Sequence, residues 1–92
     1  MYRVEYTRRA SREFRKLPRE VQLRIGRAVD RLASDPRPPA SEPLRGLDNA
    51  RRVRVGSDRV LYSVQQRRIV VLVLRIGHRR DIYRHLKNLD TS

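Results

Sequence analysis

No cysteine occurs in this chain, which excludes a disulfide framework, a thiolate nucleophile and a thiolate metal site. The two histidines, His78 and His85, are too few for a dedicated zinc site without carboxylate help. No metal and no other cofactor is expected. Aromatic residues are also scarce, with no tryptophan, one phenylalanine and four tyrosines, a thin supply of rings for a surface that stacks bases. Long hydrophobic runs are absent: the longest, Ile69 to Leu74, has six residues, against roughly 20 needed to span a bilayer. Arg3 and Glu5 deny the N-terminus the apolar core of a signal peptide. A cytoplasmic protein with no membrane partner is expected.

Acidic residues are few as well. Ten Asp and Glu face 23 Lys and Arg, giving a net charge of +13, and 21 of the 23 are arginine. Such an imbalance calls for a polyanionic partner, either nucleic acid or an acidic protein. Guanidinium grips phosphate through two parallel hydrogen bonds where lysine acts as a point charge. A GC-rich genome would produce the same arginine bias, yet the charge stands under either explanation. With 92 residues the chain buries only about 60% of its unfolded surface. One domain over residues 1–92 is therefore expected.

Tyr2, Val4 and Tyr6 alternate with Arg3 and Glu5, the period of a half-buried strand. Ala10, Phe14 and Leu17 then fall on one helical face with Thr7 as N-cap. Pro18 is placed to open a second helix at its first position, carrying Val21, Ile25, Ala28, Val29 and Leu32 inward. Four prolines between Asp35 and Pro43 predict an extended crossover loop. Three strands follow: Ala50 to Val55, Arg59 to Gln65 and Ile69 to Ile76, with hairpin turns at Gly56-Ser57-Asp58 and Gln66-Arg67-Arg68. The last strand is apolar on both faces, as at the centre of a covered sheet. A short terminal helix over Asp81 to Leu89 completes the pattern. The expected fold is α+β, β-α-α-β-β-β(-α), a mostly antiparallel four-stranded sheet with a helical hairpin on one face.

Within Arg51 to Arg84 there are ten arginines and two acids, Asp58 and Asp81, so the excess charge lies on the strands. Arg52 and Arg54 are two apart and share a face opposite Val53 and Val55, about 7 Å from each other, a spacing that can track successive phosphates. A solvated outer face has the same pattern. Arg59 opens a strand after a tight turn, so a rigid element holds it. Arg75, inside an apolar run, suits a sheet edge or a partner-facing position better than a reaction centre. Gly77 ends the last strand and projects His78, Arg79 and Arg80 from its rim, where a solvated charge run is the plainer reading. Asp81 can pair with Arg80 or cap the following helix, and Tyr83 can serve as a core aromatic beside Ile82 and Leu86.

The order Tyr2-Arg3-Val4-Glu5-Tyr6, the hairpin with Phe14, Lys16 and Leu17, Leu44-Arg45-Gly46-Leu47, Arg52-Val53-Arg54-Val55-Gly56, Arg59-Val60-Leu61-Tyr62 and Gly77-His78-Arg79-Arg80-Asp81-Ile82-Tyr83 resembles the RelE branch of the RelE/ParE toxin superfamily over about the whole chain. The resemblance implies a ribosome-dependent endoribonuclease that cuts mRNA in the A site of the 70S ribosome. A cognate acidic antitoxin would wrap its basic surface in a hetero-oligomeric complex. By matching position, Arg59 holds the scissile phosphate, Arg79 stabilises charge or protonates the leaving oxygen, and Tyr83 stacks on a base or helps deprotonate the attacking 2′-hydroxyl. Arg52 and Arg54 stand where well-known members carry lysines, and with Arg51, Arg80 and Arg45 they make up the expected RNA-binding set.

Arginine does not give up its proton in proteins, so Arg52 and Arg54 act only electrostatically. Proton removal is then left to Tyr83, to His78 or to the RNA environment. Tyr83 has the family position but needs neighbouring cations to lower an ordinary value of about 10. Histidine as a residue type is better suited than a phenol to proton transfer near pH 7, which keeps His78 as the chemical alternative. Two other functions share these features: the ParE branch, which has the same fold and poisons DNA gyrase, and a non-enzymatic basic module that binds nucleic acid. The joint presence of Arg59, Arg79 and Tyr83 favours the nuclease.

Overall fold

The computed structural model describes residues 1–78, as two helices and a five-stranded sheet. Strand β1 (Arg3–Tyr6) leads into helices α1 (Arg8–Arg15) and α2 (Arg19–Ser34), followed by β2 (Ser41–Pro43), β3 (Ala50–Val55), β4 (Asp58–Gln65) and β5 (Val70–Gly77). The strand order is β1-β5-β4-β3-β2, with β1 parallel to β5 and every other pair antiparallel. The α+β class and helical hairpin agree with the sequence. The terminal helix expected over Asp81 to Leu89 lies outside the described residues.

Thr7 does the work expected of an N-cap and more. Its hydroxyl accepts from the Ala10 amide at 3.0 Å and donates to the Leu74 carbonyl at 2.9 Å, fastening the start of α1 to β5. The short α1 ends against α2, where the Gln22 side-chain amide donates to the carbonyls of Phe14 and Arg15. Pro18 stands at the N-cap of α2, one residue before the expected position. From α2, Ile25, Val29 and Leu32 reach the core and meet Val53 of β3, Val60, Tyr62 and Val64 of β4, and Val71, Val73 and Ile76 of β5. Leu61 and Leu74 form a second buried cluster, with Leu44 and Leu72 against it.

One expectation needs correction: the sheet has five strands, not four. Residues 41–43, expected within an extended loop, pair antiparallel with β3, Ser41 opposite Val53, Glu42 opposite Arg52 and Pro43 opposite Arg51. Proline is tolerated there because β2 is an edge strand, with one side that needs no donor. The edge is braced by Arg51, whose Nε donates to the Ser41 hydroxyl at 2.9 Å. Beneath it the buried Tyr62 donates its hydroxyl to the Pro36 carbonyl at 2.7 Å, pinning the proline loop to the sheet.

The fifth strand also shifts the centre of the sheet to β4, while β5 sits between β1 and β4. Along β4 and β5 the register slips by one: Leu61 faces Arg75 but Tyr62 faces Val73, leaving Leu74 as the extra residue of a bulge. Past the bulge, β5 extends beyond the end of β1. There Glu13 of α1 replaces a strand, accepting the Ile76 backbone N–H at 2.9 Å and pairing with the Arg75 guanidinium at 2.7 Å. Arg75 is thus a sheet-edge residue, as its place in an apolar run suggested.

Candidate functional site

The open end of the sheet gathers arginines by register. Val53 and Val55 turn toward the helices, so Arg52 and Arg54 occupy the opposite face of β3. The hairpin joining β3 to β4 has only Gly56 and Ser57 between its strands, and Gly56 supplies the positive φ of 63° that such a tight connection requires. This turn sets Arg54 directly opposite Arg59, and Arg59 in turn opposite Gly77. Three strands therefore contribute one row across the sheet. Arg59 is fixed there by a 2.8 Å hydrogen bond from its Nη1 to the His78 carbonyl.

A cleft of about 270 Å³ opens on this face, lined by Ala40, Glu42, Arg52, Val53, Arg54 and Arg59. Three guanidiniums thus border one small concavity. Directly opposed like charges destabilise a sheet, and an anion bound in the cleft would balance them. Among the described residues the lining holds one carboxylate, Glu42, which accepts from Arg52 Nε at 3.2 Å and forms a salt bridge with the same guanidinium.

The structure separates the other expected site residues. Arg51 belongs to the helix-facing side of β3, bonded to Ser41 through both its Nε and its Nη2, and it does not line the cleft. Arg51 braces the edge strand there, because the alternation that brings Arg52 to the cleft turns Arg51 the other way. Arg45 is exposed in the turn after Leu44. Arg54 is exposed and donates to the Gly56 carbonyl at 3.3 Å. His78 is exposed and contributes its backbone carbonyl to Arg59. Arg79, Arg80 and Tyr83 lie outside the described residues.

Sequence reasoning missed Glu42. Its signal was the three-residue segment Ser41-Glu42-Pro43, too short for a period and buried in a run of prolines. Among the described residues no group of three or more potential ligands gathers to hold a metal ion.

Residues 4–83 match the family described as ParE toxin of type II toxin-antitoxin system, parDE. The chain belongs to that family. Toxin RelG of Mycobacterium tuberculosis (strain ATCC 25618 / H37Rv) is 34% identical to this toxin over 87 residues, covering 90% of the chain and 97% of RelG. Its fold is similar to that in the intact E. coli RelBE toxin-antitoxin complex, at a TM-score of 0.79 and 27% identity over 87% of this chain and 99% of that one. The toxin-antitoxin complex RelBE2 from Mycobacterium tuberculosis is similar at a TM-score of 0.75 and 30% identity, over 85% and 98% of the two chains. This is a type II toxin of the RelE/ParE superfamily. No helix among its described residues is long and apolar enough to cross a membrane.

Proposed function

We propose that this toxin is a ribosome-dependent endoribonuclease of the cytoplasm, cutting mRNA in the ribosomal A site, and that an acidic antitoxin restrains it. The observation that carries the reading is the row of Arg54 opposite Arg59, beside Arg52, around a cleft of about 270 Å³. A trigonal-bipyramidal phosphorane builds negative charge on its equatorial oxygens, and guanidiniums held on strands meet that charge without reorganising. The reaction begins with in-line attack of a ribose 2′-oxygen on the adjacent phosphorus. The P–O5′ bond breaks, leaving a 2′,3′-cyclic phosphate and a 5′-hydroxyl. No metal is required by this scheme. Arg59 takes the scissile phosphate, anchored by the His78 carbonyl; Arg52 and Arg54 hold neighbouring phosphates. Arg79 and Tyr83 keep the roles that the family resemblance gives them, charge stabilisation and base stacking or proton transfer.

The antitoxin follows from charge and kinship. A net charge of +13 favours an acidic partner, and the similar RelBE structures are themselves toxin-antitoxin complexes.

Programmed ribosomes test the proposal. Purified toxin is added and the mRNA ends are mapped, with Arg59→Ala, Arg79→Ala and Tyr83→Phe in parallel. Cuts confined to the A-site codon are expected, with Arg59→Ala slower by about 10²- to 10³-fold if it resembles loss of an oxyanion donor. Intact mRNA together with trapped gyrase and broken DNA would replace the nuclease with a gyrase poison.

A further inference from the structure

We infer that the antitoxin docks an acidic amphipathic helix in the groove between α2 and β3, and that from there it weakens the phosphate cleft by drawing Arg54 away. The inference rests on the reading of an antitoxin-restrained toxin and gives that restraint a place. The groove has a volume of about 810 Å³, against about 270 Å³ for the cleft. Its floor is apolar, made by the buried Leu32 and Val53 with the half-buried Ala28 and Val55. Three exposed guanidiniums, Arg24, Arg31 and Arg54, stand along it, and none of them forms a salt bridge with another described residue. Asp30 and Asp35 line it too, which leaves the cations in excess.

The spacing of the rim suits a helix. Arg24, Ala28 and Arg31 fall at i, i+4 and i+7, one stripe along α2. Arg24 and Arg31 are two turns apart, about 10 Å along the axis. A partner helix laid beside α2 offers carboxylates at the same seven-residue interval with an apolar face between them, so it meets both guanidiniums while covering Val55. RNA fits less well. Among the described residues the lining has no aromatic ring on which a base could stack, and Asp30 and Asp35 would face its phosphates.

The groove and the cleft meet at one strand edge. Strand β2 begins with Ser41 opposite Val53, so no strand flanks Arg54 on that side, and Ala40, Val53 and Arg54 line both spaces. Arg24 reaches the same hairpin, its Nη1 3.0 Å from where a Cβ on Gly56 would stand. The Arg54 side chain is exposed and donates to the Gly56 carbonyl at 3.3 Å, a tether weak enough to let it swing. A carboxylate seated in the groove takes its guanidinium out of the row with Arg59, and the cleft loses hold on phosphate. Linkage runs both ways: phosphate in the cleft keeps Arg54 and loosens the helix.

The chain has no cysteine, so Ala28→Cys sets a single thiol in the groove. The probe is the cognate antitoxin, recovered from its co-purified complex with the toxin. Alkylation of that thiol, read by the mass of the toxin, should slow by about 10-fold or more in the complex, because a covered thiol is out of reach. Arg24→Glu combined with Arg31→Glu should weaken antitoxin binding by about 10²-fold, since like charges then face each other, with mRNA cleavage by the free toxin unchanged. Saturating antitoxin should weaken binding of a short single-stranded RNA to the intact toxin, and weaken it less in Arg54→Ala. Melting curves establish that each variant is folded. An unprotected thiol overturns the docking site, and so does an antitoxin affinity that survives the double charge reversal. A double reversal that lowers RNA binding instead makes the groove an RNA surface and also overturns it. Equal exclusion of RNA from the intact toxin and Arg54→Ala ends the role of Arg54, because the antitoxin then covers the cleft directly. Uncut mRNA with a protected thiol would retire the nuclease reading and leave the docking site standing. A toxin that cuts mRNA but retains no antitoxin would retire the restraint, and the groove proposal with it.

Discussion

Arg54 and Arg59 face each other across β3 and β4, and among the described residues neither forms a salt bridge, an arrangement a sheet keeps at some cost. Relieving it should separate stability from function. Arg54→Thr is expected to raise the melting temperature by about 1–2 °C, since both groups are partly solvated, while weakening RNA binding. A fall in both would mean that Arg54 serves the fold. Tyr62 is the contrasting residue, buried and committed to structure. Its hydroxyl holds the Pro36 carbonyl, so Tyr62→Phe should cost about 1 kcal/mol in a urea titration. Burial raises the Tyr62 phenol above its ordinary value, more than its Ser41 and Arg51 neighbours lower it; burial and Asp30 raise Tyr6 too. Both phenols hold their protons more tightly in the folded state. Their contribution is therefore fully present below about pH 10 and is lost as pH climbs through the raised folded values. Urea midpoints between pH 8 and 11 should fall with pH, and less so in Tyr62→Phe.

Strand β5 outruns β1, and α1 makes up the difference through Glu13. That side chain satisfies the Ile76 N–H and neutralises a largely buried Arg75. Glu13→Ala should cost about 3 kcal/mol, because it removes both the carboxylate paired with a largely buried guanidinium and the acceptor of the Ile76 N–H. Glu13→Gln should cost less, since its amide oxygen can still accept from Ile76; equal losses in the two would place the whole effect in charge. Most elements were readable because their periods were long enough to see. Thr7 and the Ala10, Phe14, Leu17 face announced α1, and Gly56-Ser57 announced the hairpin that aligns Arg54 with Arg59. Two features were not readable, for different reasons. The strand Ser41-Glu42-Pro43 is stabilised by partners distant in sequence, Arg51 to Pro43, rather than by any preference of its own. The bulge at Leu74 was hidden because a run apolar on both faces reads the same in either register. Both omissions bear on the site, since β2 delivers Glu42 and the row on β4 and β5 depends on the slip. Of the candidate residues, Arg52 and Arg54 share a face of β3 as their spacing suggested and Arg59 joins them across the hairpin, whereas Arg51 faces away.

Taken whole, the molecule carries +13 charges, with three guanidiniums bordering one cleft. Binding of a short single-stranded RNA should weaken with salt, at a log–log slope near −2 if Arg52, Arg54 and Arg59 each meet one phosphate, about −0.7 apiece. Arg59→Ala should lower that slope by roughly 0.7; an unchanged slope would move the RNA elsewhere on the surface. Pairing the first strand with the last has a further outcome. Because β5 fits between β1 and β4, a growing chain has its two halves of the sheet but no join between them until residues 70–77 have emerged. Contacts so far apart in sequence form slowly. The His78 carbonyl that anchors Arg59 arrives immediately after, so the Arg59 end of the cleft is among the last of the described parts to assemble. A nascent toxin interrupted before that point lacks the carbonyl that holds Arg59 in the row with Arg54.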